Sequence, residues 1–418
     1  MRRVVIVILD GLRRDMLTDG LTPRLSELRR AAAEFANHRS VFPSTTRVAS
    51  ASLATGCHPW RHELVGNTLA LHDGTRLHLH DAGHPEFFER KRRLTGRALG
   101  VPTLAEYVKE IGGAIVFSNV SPGGAYAQDP DGHGEVYHRA GSYGPGRVAV
   151  PDGNQLRIGP ELAGDAVMTE RFVEEALNHR KPSLAVIWLG HPDTTQHVVP
   201  LGSPAHLHAL ATADWHAGRV IEAAVRLRDD GEDILLIVGS DHGQVTANGT
   251  IDVEAELVAA KLKANRESPD LVVAANGTAV LLYLDHRCKD RATDVIGFLK
   301  SCPWVDRVIA EDGLWEVGLG PQHGLVAAVT LRNSSEANAY GISGTALTAR
   351  DSYMPPPGCG QHGGLAEAEQ APFLLISGTG FAAGAVHRRS SLVDIAPTVL
   401  AHLGLPATGM DGRPLQSP

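Results

Sequence analysis

The stretch Val4-Val5-Ile6-Val7-Ile8-Leu9-Asp10-Gly11 decides the fold. Six apolar residues follow one another without alternation, the pattern of a strand buried on both faces in a parallel sheet. The run stops at an acid. Its basic lead, Arg2-Arg3, is one a signal peptide would share, but the apolar run is too short and no small-residue cleavage site follows. No stretch approaches the roughly 18 apolar residues of a membrane helix. The cytoplasm is therefore the expected location.

Four further runs repeat the theme: Gly113–Phe117 after a helical stretch from Thr103 to Ile111, Leu184–Leu189, Ile234–Val238 and Pro372–Ile376. Strands alternating with helices predict an α/β fold, a mostly parallel central sheet covered by helices on both faces. Ligands of such sheets bind beyond the carboxyl ends of the strands. Asp10 follows the first run, Gly190-His191-Pro192-Asp193-Thr194-Thr195-Gln196-His197 the third, and Gly239-Ser240-Asp241-His242-Gly243 the fourth. Three strand ends carry acids and two add histidines, more than helix capping demands.

The texture changes between residues 251 and 345. Helical patterns at 252–264 and 292–299 and strand patterns at 274–284 and 325–331 predict a small α+β cap. It is inserted into a discontinuous catalytic core of residues 1–250 and 346–418. Pro355-Pro356-Pro357-Gly358 marks a stiff re-entry loop before Gly360-Gln361-His362-Gly363-Gly364. Residues 120–160 show no period and read as one long loop of the kind that often carries function.

Composition narrows the class. Of 418 residues 43% are hydrophobic, ample for a buried core, and 39 Lys+Arg against 47 Asp+Glu give a net charge of −8. That balance gives no support for a broad nucleic-acid-coating surface. Cys57, Cys288, Cys302 and Cys359 are scattered without a CxxC spacing, so neither a disulfide scaffold nor a thiolate zinc site is expected.

Six candidate ligands stand out: Asp10, Asp193, His197, Asp241, His242 and His362. Oxygen and nitrogen donors without thiolate suit zinc, with manganese or iron as alternatives. Asp193 and His197, four apart, share one side of a helical turn. Six ligands exceed one tetrahedral ion and suit two, and two ions about 4 Å apart clamp a phosphoryl group. His133, His138, His191 and His323 lack such a setting. Phe42-Pro43-Ser44-Thr45-Thr46-Arg47-Val48-Ala49-Ser50 is a hydroxyl-rich turn before the small-residue helix Ala51–Gly56. It either caps that helix or presents a nucleophile at a phosphate-attracting helix N-terminus.

Ile8-Leu9-Asp10-Gly11, Phe42-Pro43-Ser44-Thr45-Thr46 with Thr55-Gly56, Asp193-Thr194-Thr195-Gln196-His197, Ser240-Asp241-His242-Gly243 and Gln361-His362-Gly363 occur in that order. With the C-terminal Val393–Leu400 and Asp411–Leu415 segments, this set resembles the alkaline phosphatase superfamily, in its nucleotide pyrophosphatase/phosphodiesterase branch. The resemblance implies a two-zinc hydrolase of phosphodiesters. The family's nucleophile stands three residues after a motif proline and ten before the glycine of a Thr-Gly pair, which implies Thr46. Its oxyanion-contacting asparagine falls on Asn67, a catalytic and substrate-binding residue. One zinc is implied on Asp193, His197 and His362, the other on Asp10, Asp241, His242 and the Thr46 oxygen, with a covalent phospho-threonine intermediate.

Arg47-Val48-Ala49 departs from the aromatic, proline and asparagine common in that branch, making Arg47 either a substrate-binding cation or a salt-bridged arginine. Phosphonoacetate hydrolase looks like a relative, yet the lysine implied after its second strand is missing from Phe117-Ser118-Asn119-Val120-Ser121. A phosphonate hydrolase, a phosphomonoesterase and a non-catalytic binding protein are the alternatives. The expected partner is a small phosphate ester or phosphonate, with no membrane; the oligomeric state is open. Residues 68–100 and 120–160 are expected to line the specificity pocket, with Asp129, Asp131, His133 and Tyr137 as contacts.

Overall fold

The computed structural model describes residues 2–351 and 355–416. Eight strands form the central sheet: β1 (Arg2–Leu9), β2 (Ala33–Arg39), β3 (Ala114–Ser118), β4 (Glu135–Tyr137), β5 (Leu184–Leu189), β6 (Asp233–Gly239), β7 (Leu374–Ser377) and β8 (Gly384–Ser391). Their order is β8-β2-β7-β6-β1-β5-β3-β4. β1 runs parallel to β5 and β6 at the centre. Only β7 is reversed, pairing antiparallel with both β6 and β2.

The opening run explains the layering. Val4 through Leu9 are fully buried, and alternate residues serve opposite faces. Val4, Ile6 and Ile8 pack with Val48 and Leu53 of the helix Thr46–Thr55 and Val399 of the helix Ile395–Leu403. Val5, Val7 and Leu9 pack with Leu210, Ala217 and Val220 of the long helix Pro204–Asp229. Each such side chain contributes about 1.5–3 kcal/mol from removal from water. Among the described residues, no helix is long and apolar enough to cross a membrane.

Sequence and structure part at several points. The run ending at Ile376 is antiparallel to both of its neighbours, β6 and β2. Strands β2 and β8 carry Asn37, His38, Arg39, His387, Arg388 and Arg389, and β8 is mostly exposed, so neither shows a buried-strand pattern. The single strand expected over 274–284 is a hairpin, Leu271–Asn276 paired with Ala279–Leu284. Gly277, at φ +67°, turns it. Residues 120–160 contain a helix, Pro122–Ala127, as well as β4.

The hairpin belongs to a second, four-stranded sheet completed by Val305–Ala310 and Leu325–Leu331. A third sheet joins Val245–Ile251 to Ser343–Ala349, to Gly360–Gln361 and, beyond them, to Asn333–Ala337. Through it the chain on either side of the 271–331 sheet returns to neighbouring strands, and residue 362 is brought back to the central sheet.

Candidate active site

Register places the chemistry. Leu9 sits opposite Leu189, and Ile8 sits opposite both Trp188 and Gly239, so the carboxyl ends of β1, β5 and β6 lie level. Asp10 accepts a backbone hydrogen bond from the Asp193 N–H at 3.1 Å. The Gly11 N–H donates to Asp241 Oδ1 at 3.1 Å. Gly11 itself, at φ +68°, would place a Cβ 2.8 Å from Gln196 Oε1 and 3.0 Å from Asp193, so a side chain here would press on the turn that carries Asp193. Asp193 opens the helical turn Asp193–Gln196, and the His197 N–H donates to its carbonyl at 3.1 Å. His362 arrives from the strand Gly360–Gln361, paired to Val245 and Thr246.

Two groups of ligand atoms result. Asp193, His197 and His362 form one; Asp10, Asp241 and His242 form the other. His197 Nε2 lies 3.3 Å and His362 Nε2 3.6 Å from the Asp193 carboxylate. His242 Nε2 lies 3.4 Å from Asp10 and 3.2 Å from Asp241. The groups adjoin, since the His242 and His362 rings stack at 3.7 Å between centroids.

Hydrogen bonding fixes the tautomers. His197 Nδ1 faces the Gly360 carbonyl at 3.1 Å, His242 Nδ1 the Gly243 carbonyl at 3.0 Å and His362 Nδ1 the Ser44 carbonyl at 2.8 Å. A carbonyl only accepts, so each Nδ1 carries a proton and each ring turns its Nε2 toward the acids. Oriented imidazoles of this kind are the usual environment of metal-ligating histidines. Gln244 Nε2 donates to Asp193 Oδ1. Asp241 Oδ2 is buried without a hydrogen-bond donor.

Burial, then Asp241 and Asp193, push the Asp10 carboxyl well up. Burial raises Asp241 also, against the pull of His242. Burial opposes ionisation of Asp193, but His197 and then His362 outweigh it and hold its carboxyl low. Burial opposes charging of His197, yet Asp193 raises it; burial and His242 drive His362 well down. Three carboxylates and three imidazole lone pairs in one buried spot fit divalent cations, and the mixed oxygen and nitrogen donors suit zinc, manganese or iron. A third grouping, His72, Asp285 and His286, differs, because the Arg287 guanidinium occupies both Asp285 oxygens at 2.8 and 3.1 Å.

The hydroxyl-rich turn resolves into three environments. Ser44 Oγ donates to the Gly364 carbonyl at 2.9 Å and accepts from the Gly363 N–H, tying the turn to the His362 loop. Thr45 caps the helix from an extended conformation, and its hydroxyl is buried without a partner. Thr46, first residue of the helix, puts Oγ1 at 3.1 Å from His242 Nε2 and 3.4 Å from Asp10 Oδ1.

A cleft of about 510 Å³ opens over Thr46. Asn67 lines it, with its backbone N–H held by Asn276 Oδ1 at 2.6 Å and its side-chain Oδ1 buried without a partner among the described residues. Arg47 lines it too, with its guanidinium on Asp81 Oδ1 at 2.8 Å, the Asn67 carbonyl at 2.7 Å and Ser121 Oγ at 3.0 Å. Thr68, Asp81, Val120, Ser121, Arg139 and Pro160 also line it, so both expected segments contribute.

The expected contacts within 120–160 do not. Asp129 accepts three backbone N–H groups from residues 132–134, Asp131 pairs with Arg92, and Tyr137 stacks on Phe117. His133 Nε2 lies 3.7 Å from Glu106. None of the four lines the cleft: Asp129 is spent on its own loop, and the other three face partners on other elements.

Sequence reasoning missed Gln244, Asn276, Asn119 and Arg139. Gln244 adjoins the Ser240–Gly243 motif, and Asn276-Gly277 is a hairpin-turn dipeptide, signals that could have flagged both. Nothing local marks Asn119 or Arg139.

A family model described as type I phosphodiesterase/nucleotide pyrophosphatase matches residues 4–297. No curated protein sequence matches the chain. Among solved structures, murine ectonucleotide pyrophosphatase/phosphodiesterase 5 is similar at 18% identity and a TM-score of 0.70, covering 98% of this chain and 97% of that one. An inactive threonine-to-alanine variant of that murine protein, in complex with AMP, is similar at 16% identity and a TM-score of 0.69, over 99% and 97% of the two chains. Phosphonoacetate hydrolase from Sinorhizobium meliloti 1021, in complex with phosphonoformate, is similar at 16% identity and a TM-score of 0.68, over 96% and 95%.

Proposed function

The chain belongs to the type I phosphodiesterase/nucleotide pyrophosphatase family, and from that premise we propose that it hydrolyses phosphodiesters through a Thr46 nucleophile. The observation that carries the reading is the setting of Thr46 Oγ1, between the Asp10 carboxylate and His242 Nε2 and facing the cleft. One divalent cation would be held by Asp193, His197 and His362, the other by Asp10, Asp241 and His242 together with the Thr46 oxygen beside them. Bound there, two zinc ions would lower the pKa of the threonine hydroxyl and of water and offset negative charge on the phosphoryl oxygens.

The residues of the chain do the rest. Thr46 Oγ1 loses its proton to solvent and attacks phosphorus, and the bond from phosphorus to the leaving oxygen breaks as a phospho-threonine forms, the departing alkoxide taking up a proton from solvent. Water then cleaves the phosphorus–Thr46 bond and restores the hydroxyl. The N-terminus of the helix Thr46–Thr55 favours the anion at both steps. The Asn67 side chain donates to a phosphoryl oxygen, and Arg47 holds the Asn67 carbonyl so that the donor stays aimed. Residues 251–345 act as a cap, supplying Ala275, Asn276 and Gly277 to the cleft wall.

A second reading, a small phosphonate as substrate, is favoured by the fold shared with phosphonoacetate hydrolase. The two separate in one assay of the zinc-loaded protein on bis-p-nitrophenyl phosphate, p-nitrophenyl phosphate, the p-nitrophenyl ester of thymidine 5′-monophosphate and a panel of phosphonates. Preference for the diesters supports the first reading; preference for a phosphonate supports the second. Under either, Thr46→Ala should lose more than about 1,000-fold in kcat while keeping its fold and metal content. Retention of most activity would refute the covalent route.

A further inference from the structure

Two arginines line the cleft, and their surroundings differ in kind. Arg47 is neutralised by Asp81. Arg139 makes no ion pair among the described residues, and its hydrogen bonds there all leave from one nitrogen. That terminal nitrogen donates to the Asn119 carbonyl, to Asn119 Oδ1 at 2.8 Å and to the Val120 carbonyl at 2.9 Å, all uncharged acceptors. Its Nε and second terminal nitrogen have no partner among the described residues.

The anchor is rigid. Asn119 Nδ2 donates to Asp165 Oδ1 at 2.8 Å and to the Gly159 carbonyl at 3.2 Å, which fixes the amide so that Oδ1 faces Arg139. Asp165 is in turn occupied by the Gly190 and His191 N–H groups. Those two residues open the loop that delivers Asp193. One side of the guanidinium is thus tied to the loop system that carries a metal ligand, while its remaining fork has no protein acceptor. Burial opposes the charge of this guanidinium, Asp165 and Glu161 favour it only through space without an ion pair, and its planar fork matches a carboxylate or phosphate two oxygens at a time.

We propose that Arg139 is a specificity-determining residue that binds a second anionic group of the substrate, a carboxylate or phosphate borne outside the reacting phosphoryl group. This rests on the hydrolase reading above and deepens it: the substrate class is a phosphodiester or phosphonate carrying a further negative charge. Asn119 and Asp165 are positioning residues for that arginine.

The test uses full-length zinc-loaded protein and three esters that differ only beyond the reacting phosphate: methyl, carboxymethyl and 2-phosphoethyl p-nitrophenyl phosphate. Wild type should prefer an anion-bearing ester over the methyl ester by about 10- to 100-fold in kcat/KM, the range of a charge-assisted hydrogen-bonded pair. Which anionic ester leads tells carboxylate from phosphate. In Arg139→Met that ratio should collapse toward one, and Arg139→Lys should restore part of it. A structural role for Arg139 would lower all three rates together and leave the ratio untouched, which would overturn the proposal, as would a wild-type ratio near one. A binding arm stands apart from turnover. Calorimetry on the zinc-loaded Thr46→Ala variant should find carboxymethyl phenyl phosphate bound about 10-fold more tightly than methyl phenyl phosphate, a difference lost on adding Arg139→Met. Equal affinities overturn the proposal. If wild type hydrolyses no ester while the binding difference holds, the hydrolase reading fails and the anion site stands.

Discussion

The hairpin turn at Gly277 offers the sharpest test of how the site is built. It meets the His362-Gly363 turn backbone to backbone: a Cβ on Gly277 would stand 1.9 Å from the His362 carbonyl oxygen, and one on Gly363 would stand 1.9 Å from the Asn276 carbonyl oxygen. The Thr278 N–H donates to the same His362 carbonyl at 3.2 Å. A normal carbon–oxygen approach is about 3.3 Å, so Gly277→Ala must drive the two turns apart by about 1.4 Å. The new side chain also inherits φ +67°, which costs a non-glycine residue about 1–2 kcal/mol. With about 1–3 kcal/mol for the overpacked contact, the variant should lose about 2–5 kcal/mol of stability.

Displacement of His362 by about 1 Å should cost about 100-fold in kcat and release the ion shared with Asp193 and His197. Gly341→Ala is the matched control, since Gly341 also sits in a turn, at φ +78°, but has nothing within 4 Å of its imagined Cβ. It should cost only the dihedral term and keep both ions. The assays are denaturant unfolding, elemental analysis of metal per chain, and kcat on bis-p-nitrophenyl phosphate. A Gly277→Ala protein with two metal equivalents, kcat within about threefold of wild type and a stability loss equal to that of Gly341→Ala would refute this account of the interlocked turns.

Asp193→Ala should cut the metal content from two equivalents to one, because Asp10, Asp241 and His242 remain as a separate group; loss of neither ion would remove Asp193 from the ligand set. Exhaustive chelation should abolish turnover and added zinc should restore it, whereas full activity in metal-free protein would refute the two-ion reading. His62 is fully buried, accepts the Leu64 N–H at Nδ1 and donates to Ser52 Oγ through Nε2, and burial pushes its pKa down to about 3. The unfolded chain binds that proton near pH 6.5 and the folded chain does not, so stability falls as pH drops below about 6.5. His62 alone should cost about 2 kcal/mol between pH 7 and pH 5, and His62→Gln should flatten the profile by that amount; parallel profiles for the two proteins would sink the argument.

The strands at the sheet centre were legible because burial on both faces leaves an unbroken apolar run, as in Val4–Leu9 and Leu184–Leu189. Five of the six candidate ligands, Asp10, Asp193, His197, Asp241 and His242, were legible because they stand just after those runs, where a parallel sheet gathers its ligands, whereas His362 follows no such run. Strands β2 and β8 stayed hidden, since β8 at the sheet edge and β2 beside it are only partly buried, and exposure lets polar residues occupy a strand without any periodic signal. The direction of β7 stayed hidden as well: an apolar run records burial, not the sense in which the chain passes.

What the sequence alone determined is which residue types meet at the strand ends. The tertiary structure decided what each one can do. Ser44 became a tie between loops and Thr46 faced His242, although the two hydroxyls stand two residues apart. Arg47 met Asp81 from a distant hairpin, while Arg139, from a loop with no motif, kept its open fork beside the cleft. Whether a charged group is spent or available depends on partners dozens of residues away, and chain order carries no record of that pairing.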